Sequence, residues 1–200
     1  LIIYFEIYAI VAMSFNLLIG YGGLLQVAHA AYYGIGAYAA ALLWTKLGWG
    51  FFPGLAVGGI VAGVMSLLVS LPAWRFKGDY FVMISIAVQT LIYAMLYNWT
   101  ALTNGPFGIS GIARPVIADY SFVTTGSITI LYGILALVLG VIMAMLKWSP
   151  FGRALQAMRD DELAARSIGI PVNWLKLQAF VLASAMVGVA GGLYVSYVSY

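Results

Sequence analysis

Six continuous apolar runs dominate this 200-residue chain, at Leu1–Ile19, Leu24–Leu43, Phe52–Ala73, Tyr80–Tyr97, Ile128–Leu146 and Leu175–Tyr197. Crossing a bilayer takes about 20 residues of helix, and each run is long enough or nearly so. In lipid every backbone N–H and C=O must be paired within a helix or around a closed barrel, so few folds are open to such a chain. A barrel strand alternates and uses only about 10 residues, whereas these runs are unbroken, which selects helices. Charge supports the same choice. Charged residues make up 8% of the chain, against roughly 25% in soluble domains. Eight of the fifteen charges lie between Lys147 and Lys176, so the remainder is too sparse to coat a soluble surface. The expected fold is an all-α integral membrane protein, a polytopic bundle of about six transmembrane helices. It reads as one domain, 1–200, and is expected to be a fragment truncated at both ends, because it opens at Leu1 and stops in the apolar run around Tyr200.

The same scarcity excludes several functions. A net charge of +3 without a basic stripe is no nucleic-acid footprint. With no Cys and one His there is no set of ligands for structural zinc or iron–sulfur clusters. Orientation follows from the connections. Arg75, Lys77, Lys147, Arg153, Arg159, Arg166 and Lys176 fall in one set of loops, and only Lys46 and Arg114 in the other. The richer set belongs in the cytoplasm. Interfacial aromatics such as Trp44, Trp74, Trp99, Trp148 and Trp174 mark the ends of the runs. Gly54/Gly58, Gly59/Gly63 and Gly188/Gly192 are small-xxx-small pairs suited to close helix contact.

Two stretches are more than connectors: the outside loop 99–127, with Thr103-Asn104-Gly105-Pro106 and Arg114-Pro115, and the cytoplasmic segment 149–171. In the latter, Ser149 is placed to cap a helix that begins at Pro150, where a missing N–H costs nothing. Arg159 falls in its last turn. Asp160 and Asp161 are candidates to cap a second short helix, with Glu162 at its positive end and Arg166 at its negative end. Gly169 suits a left-handed position after that helix, and Pro171 stops it. The pattern predicts a cytoplasmic helix–turn–helix that docks on a partner, with Leu155 and Met158 on one face meeting the partner's groove.

The run from Ser149 to Pro171, continuing through Ala179-Phe-Val-Leu-Ala-Ser-Ala185 to Ala190-Gly-Gly-Leu-Tyr194, resembles the signature of bacterial branched-chain amino-acid ABC permeases of the LivM type. Asn16-Leu-Leu-Ile-Gly20, His29-Ala-Ala-Tyr-Tyr-Gly-Ile-Gly-Ala-Tyr38, Gly78-Asp-Tyr-Phe81 and Asn98-Trp-Thr100 agree in order. Departures fall at Leu24, Gln26 and Ala28, where the family commonly has Gln, Ser and Gly, and at Asn104, where Gly is usual. The resemblance implies a permease subunit of an ATP-driven importer for branched-chain or similar neutral amino acids, in the bacterial inner membrane. It also implies two ABC ATPase subunits, a second homologous permease and an external substrate-binding protein as partners. The residues it assigns to ATPase coupling are Gly152, Arg153, Leu155, Met158, Arg159, Glu162, Ala165 and Gly169.

Gly22, Gln26, His29 and Gly34 are the candidate substrate pathway. His29, the one imidazole, is open to two readings: a packing histidine or a pathway residue. Gly20-Tyr-Gly-Gly23 is either an unwound stretch exposing backbone groups or a plain turn. Asp79 opens the fourth run as an N-cap or a substrate ligand. No G-x-x-x-x-G-K-[ST] occurs, so no P-loop cradles ATP here, and no cofactor is expected on this chain. Urea or short amides are alternative cargoes within the family. A secondary transporter or channel is a weaker reading, because the runs hold almost no carboxylates for a coupling ion. A rival from another class is an intramembrane serine protease using Gly108-Ile-Ser110-Gly111 with His29 as base.

Overall fold

Small residues decide where these helices meet. In the computed structural model the first helix, α1, covers Ile2–Phe15 and continues through a π-helical turn at Asn16–Tyr21. It is followed by α2 (His29–Lys46), α3 (Phe51–Met65), α4 (Leu67–Ser70) and α5 (Asp79–Asn98). Beyond these come α6 (Thr100–Thr103), a two-residue antiparallel ladder of β1 (Val116–Ile117) with β2 (Tyr120–Ser121), and α7 (Thr125–Trp148). Two short helices, α8 (Pro150–Asp160) and α9 (Glu162–Ser167), lead into α10 (Val172–Val198). The structure describes residues 1–74, 76, 78–112, 116–117, 120–121 and 124–199. Readings that rest on Arg75, Lys77, Arg114, Pro115, Tyr200 and the side chain of Trp74 lie outside the described residues.

Among the described residues, five helical stretches are long and apolar enough to cross a membrane: Ile2–Tyr21, Phe51–Ser70, Asp79–Asn98, Thr125–Trp148 and Val172–Val198. The chain is a polytopic helical membrane protein. The second expected run, Leu24–Leu43, behaves differently. Its helix starts five residues later, at His29, and ends in the polar Thr45-Lys46. Residues 24–28 are not helical.

Helix α10 is the axis of the bundle: 67% of its most apolar window is buried, against 17% for α5 and 22% for α7. It packs on α2 and α3 through glycines. A Cβ on Gly36 would run into the backbone of Gly188, and one on Gly191 into the Tyr33 carbonyl. A Cβ on Gly58 would sit 2.9 Å from the Gly36 oxygen. Contacts this close let backbones touch and gain dispersion, which drives helix association where lipid is as apolar as the side chains. The small-xxx-small pairs are therefore packing devices. On the flank, Tyr132 of α7 donates its hydroxyl to the Leu193 carbonyl at 2.9 Å and pairs with the Ser196 hydroxyl, tying α7 to α10.

The described cations Lys147, Arg153, Arg159, Arg166 and Lys176 gather where α1 and α7 end and α10 begins. At the opposite end, Ile109 and Ile112 of the long loop pack on Ala37, Ala41 and Val195. These cations and the long loop thus lie at opposite ends of the bundle.

Candidate functional site

The segment 149–171 forms the helix pair that its capping residues dictate. Ser149 Oγ accepts from the Gly152 N–H at 3.1 Å, and Pro150 is the first residue of α8. A Cβ on Gly152 would collide with the carbonyls of Leu146 and Lys147, so glycine is what permits the tight corner between α7 and α8. Asp161 alone caps α9, accepting from Leu163 N–H at 2.8 Å and Ala164 N–H at 3.0 Å. Asp160 closes α8 instead. Gly169 has φ +86°, the left-handed turn that ends α9, and Pro171 precedes α10.

One expectation is overturned. Leu155 and Met158 do share a face, but they are 0% and 4% exposed and belong to the chain's own core, not to a partner's groove. Gly152 and Ala165 are buried with them. An amphipathic helix lying flat on a bundle buries its apolar side in the nearest apolar surface, and here that surface is the near end of its own spans. The exposed residues include Arg153, Leu163 on α9 and Ile168 just after it, the last two exposed by 78% and 75%. Leu163 and Ile168 were not singled out from sequence. Their isolation as apolar side chains within a charged segment was the available signal.

Polar contacts fasten the pair to the spans. The Arg159 guanidinium donates to the Gly20 carbonyl, in the π-helical turn that ends α1. Gly23, at φ +62°, passes so close that a Cβ there would sit 3.0 Å from Arg159 Cγ. Glu162 pairs with Arg166 at 2.8 Å and with the buried Lys176 of α10 at 3.2 Å. Arg166 also donates to Asn173 Oδ1 at 2.9 Å. Glu162 and Lys176 further line a cleft of about 200 Å³ with Asp79, Gly78 and Gly23. Asp79 is the first helical residue of α5 and makes no cap. The N-cap position belongs to Gly78 at φ +59°, a conformation an Asp would adopt only under strain.

Within Gly20–Gly23, Gly20 and Tyr21 close the π-helical turn, the Gly23 N–H donates to the Ile19 carbonyl, and residues 22–28 are not helical. The Val27 N–H donates to Ser85 Oγ at 3.0 Å. Ser85 lies six residues into α5, about 9 Å along its axis at the rise of a helix. Non-helical backbone therefore enters to membrane depth, which is tolerated only where protein or a cavity surrounds it. Gln26 and His29 are buried there, with Gln26 Nε2 3.0 Å from His29 Nδ1. The His29 ring stacks on Phe15 with centroids 3.8 Å apart. The ring is packed on Phe15 and Gln26, while its Nε2 is shielded from solvent with no hydrogen-bond partner, so both readings of His29 stay open. Of the four pathway candidates, Gly34 faces a space of about 390 Å³ between α2 and α5, with Gln89, Thr90, Tyr93 and Tyr97. Gln89 was missed from sequence, although it is the one carboxamide in the Tyr80–Tyr97 run.

The protease constellation is not assembled. Ser110 is exposed in the loop after Gly108, whereas His29 is buried, with Nδ1 on Gln26 and no partner at Nε2. No cluster of three or more His, Cys, Asp or Glu capable of holding a metal occurs among the described residues.

Comparison with known proteins adds the final observation. Residues 1–200 match the family model described as "Branched-chain amino acid transport system / permease component". The high-affinity branched-chain amino acid transport system permease protein LivM of Escherichia coli is 32% identical, over 94% of this chain and 50% of that protein. The probable LivM of Methanocaldococcus jannaschii is 24% identical over 98% of this chain and 66% of its own length. The Escherichia coli LivH permease is 26% identical over 93% and 65%, respectively. The chain thus spans about half the length of the first of these relatives. No solved structure matches.

Proposed function

The chain belongs to the branched-chain amino acid transport system permease family, and from that premise we propose that it is the membrane-crossing part of an ATP-driven importer. Its cargo is a branched-chain or similar neutral amino acid, and its place is the bacterial inner membrane. It works beside a second, homologous permease, two ATPase subunits and an external binding protein, and it carries no cofactor of its own. The observation that supports this is the helix pair α8–α9. Its inner face is fixed to α1 through Arg159, to α7 through the corner at Ser149–Gly152 and to α10 through Glu162–Lys176. Its outer face presents Leu163 and Ile168.

An ATPase seated on those two side chains moves three spans at once. Such coupling operates only if the seat differs in contact between the two states of the transporter. The test is uptake and binding-protein-stimulated ATP hydrolysis by the complete complex in proteoliposomes. Leu163→Asp with Ile168→Asp should abolish both while the permease still inserts at normal levels. Full activity in that variant would mean the segment is a passive loop.

A further inference from the structure

Helix α7 ends at Trp148 and turns at Ser149 into α8. Over its last two turns Val141, Ala144, Met145 and Trp148 recur at the spacing of one helix face. All four are exposed, and with Ser149 they line a groove of about 460 Å³. Because α7 is long and apolar enough to span the membrane, this groove opens sideways toward lipid. Val141 lies about 10 Å deeper than Trp148 at the rise of a helix.

Two cations stand at the mouth of the groove. Lys147 Nζ lies 5.3 Å from the centroid of the Trp148 ring, and Arg153 Nη1 donates to the Trp148 carbonyl at 2.6 Å. Both residues are exposed, and neither forms an ion pair with a described residue. The other described cations at this end are engaged elsewhere, Arg159 by the Gly20 carbonyl and both Arg166 and Lys176 by Glu162. Along α8 the first acid is Asp160, about 10 Å beyond Arg153 on the helix axis. The corner therefore sets two unneutralised positive charges, with an interfacial tryptophan between them, over an apolar groove that leads into the bilayer. That pattern is complementary to an amphiphile with an anionic head.

We propose that the α7–α8 corner binds one anionic glycerophospholipid. Its phosphate sits between Lys147 Nζ and the Arg153 guanidinium, which has further N–H donors beyond the one given to Trp148. The glycerol lies level with Trp148, and one acyl chain runs inward along Met145, Ala144 and Val141. A free phosphate answers the cations alone and leaves the groove empty. A zwitterionic lipid fills the groove but brings its own ammonium to the cations. Only the anionic lipid satisfies both. The site adds a lipid partner and does not depend on the importer reading.

The experiment uses the full-length permease with its partner subunits in proteoliposomes, carrying Ile142→Cys as its only cysteine. Ile142 is exposed beside the groove without lining it. A bimane there is quenched by a nitroxide on an acyl chain of phosphatidylglycerol or, in parallel, of phosphatidylcholine. Phosphatidylglycerol should reach half-maximal quenching at a mole fraction at least about tenfold lower, since each Lys or Arg at the surface contributes about fivefold. Lys147→Gln and Arg153→Gln should each raise that midpoint about fivefold, whereas Lys147→Arg should not. Ala144→Phe fills the groove without changing charge and should also raise it several-fold. Every substituted position is exposed, so the fold is retained. Equal midpoints for the two lipids, or a midpoint unmoved by the cation variants, would overturn the site. An unchanged midpoint in Ala144→Phe would reduce it to bare charge and overturn it as well. Displacement of phosphatidylglycerol by millimolar inorganic phosphate would make a soluble anion the ligand and sink the lipid assignment. Absence of quenching by either lipid would show that a partner subunit covers this face, with the same consequence.

Discussion

Arg159, near the end of α8, donates a hydrogen bond to the carbonyl oxygen of Gly20, where the first span gives way to a π-helical turn. The contact joins the helix pair α8–α9 to the turn that leads into the non-helical residues 22–28. A π turn leaves carbonyls without their usual i+4 donors, and a guanidinium is well suited to fill that place. Arg159→Ala should therefore reduce uptake by about tenfold or more, the scale of a lost charged hydrogen bond, with insertion preserved. Transport assays at matched expression check it, and an unchanged rate would show the contact to be incidental.

The Glu162–Lys176 pair predicts a non-additive response. Lys176 is buried and Glu162 is partly exposed. Removing the carboxylate takes one anionic partner from a buried ammonium, whereas removing both charges does not. Glu162→Gln should destabilise the protein by about 2 kcal/mol, below the range for fully buried pairs because water still reaches Glu162. Glu162→Gln with Lys176→Met should recover most of it. Thermal unfolding in detergent of the two single variants and the double variant closes the cycle, and additive losses would refute the pairing.

Glycine substitutions should divide into two groups. Gly191→Ala places a methyl into the Tyr33 carbonyl across the α2–α10 contact, and Gly36→Ala does the same to Gly188. Both should lower the yield of folded protein several-fold, by the mechanism of overpacking. Gly126→Ala, where nothing lies within 4 Å, should be silent. Monodisperse yield on size-exclusion chromatography decides, and equal yields would show that the three-helix core is looser than its backbone spacing indicates.

Gly169→Val should act by strain instead of overlap. A Cβ added at Gly169 would meet nothing within 4 Å, yet φ is +86°. A β-branched residue resists that conformation by about 1–2 kcal/mol. Uptake should fall while core stability changes by no more than that amount. A Gly169→Asn variant, which tolerates left-handed backbone, should retain most activity. If Val and Asn behave alike, the left-handed turn is not what matters.

Orientation is tested by single cysteines. Ser110→Cys should react with an impermeant reagent added outside intact cells, and Ser167→Cys only after the membrane is opened. Both positions are exposed. The reverse pattern would invert the topology and remove the basis for placing an ATPase at α8–α9.

Local chemistry was legible in the sequence because it depends on neighbours along the chain. The caps at Ser149 and Asp161, Pro150 at a helix start, the left-handed Gly169 and five of the spans each follow from a few adjacent residues and the bilayer's demand for paired backbone. The start of α2 did not follow, because an apolar stretch of buried irregular backbone has the same composition as a helix, and only the Val27–Ser85 contact sets residues 24–28 apart. Nor did the direction of Leu155 and Met158: an amphipathic face states that it will be buried, not against which surface. Nor did the groove that Gln89 and Gly34 line together, which exists only because α5 is set beside α2. The sequence alone determined which segments are helical, where most of them end and that most of the charge falls between α7 and the start of α10. The tertiary structure decided which faces meet, because that depends on backbone approach at Gly36, Gly188 and Gly191, and such distances between remote residues are written in no local pattern.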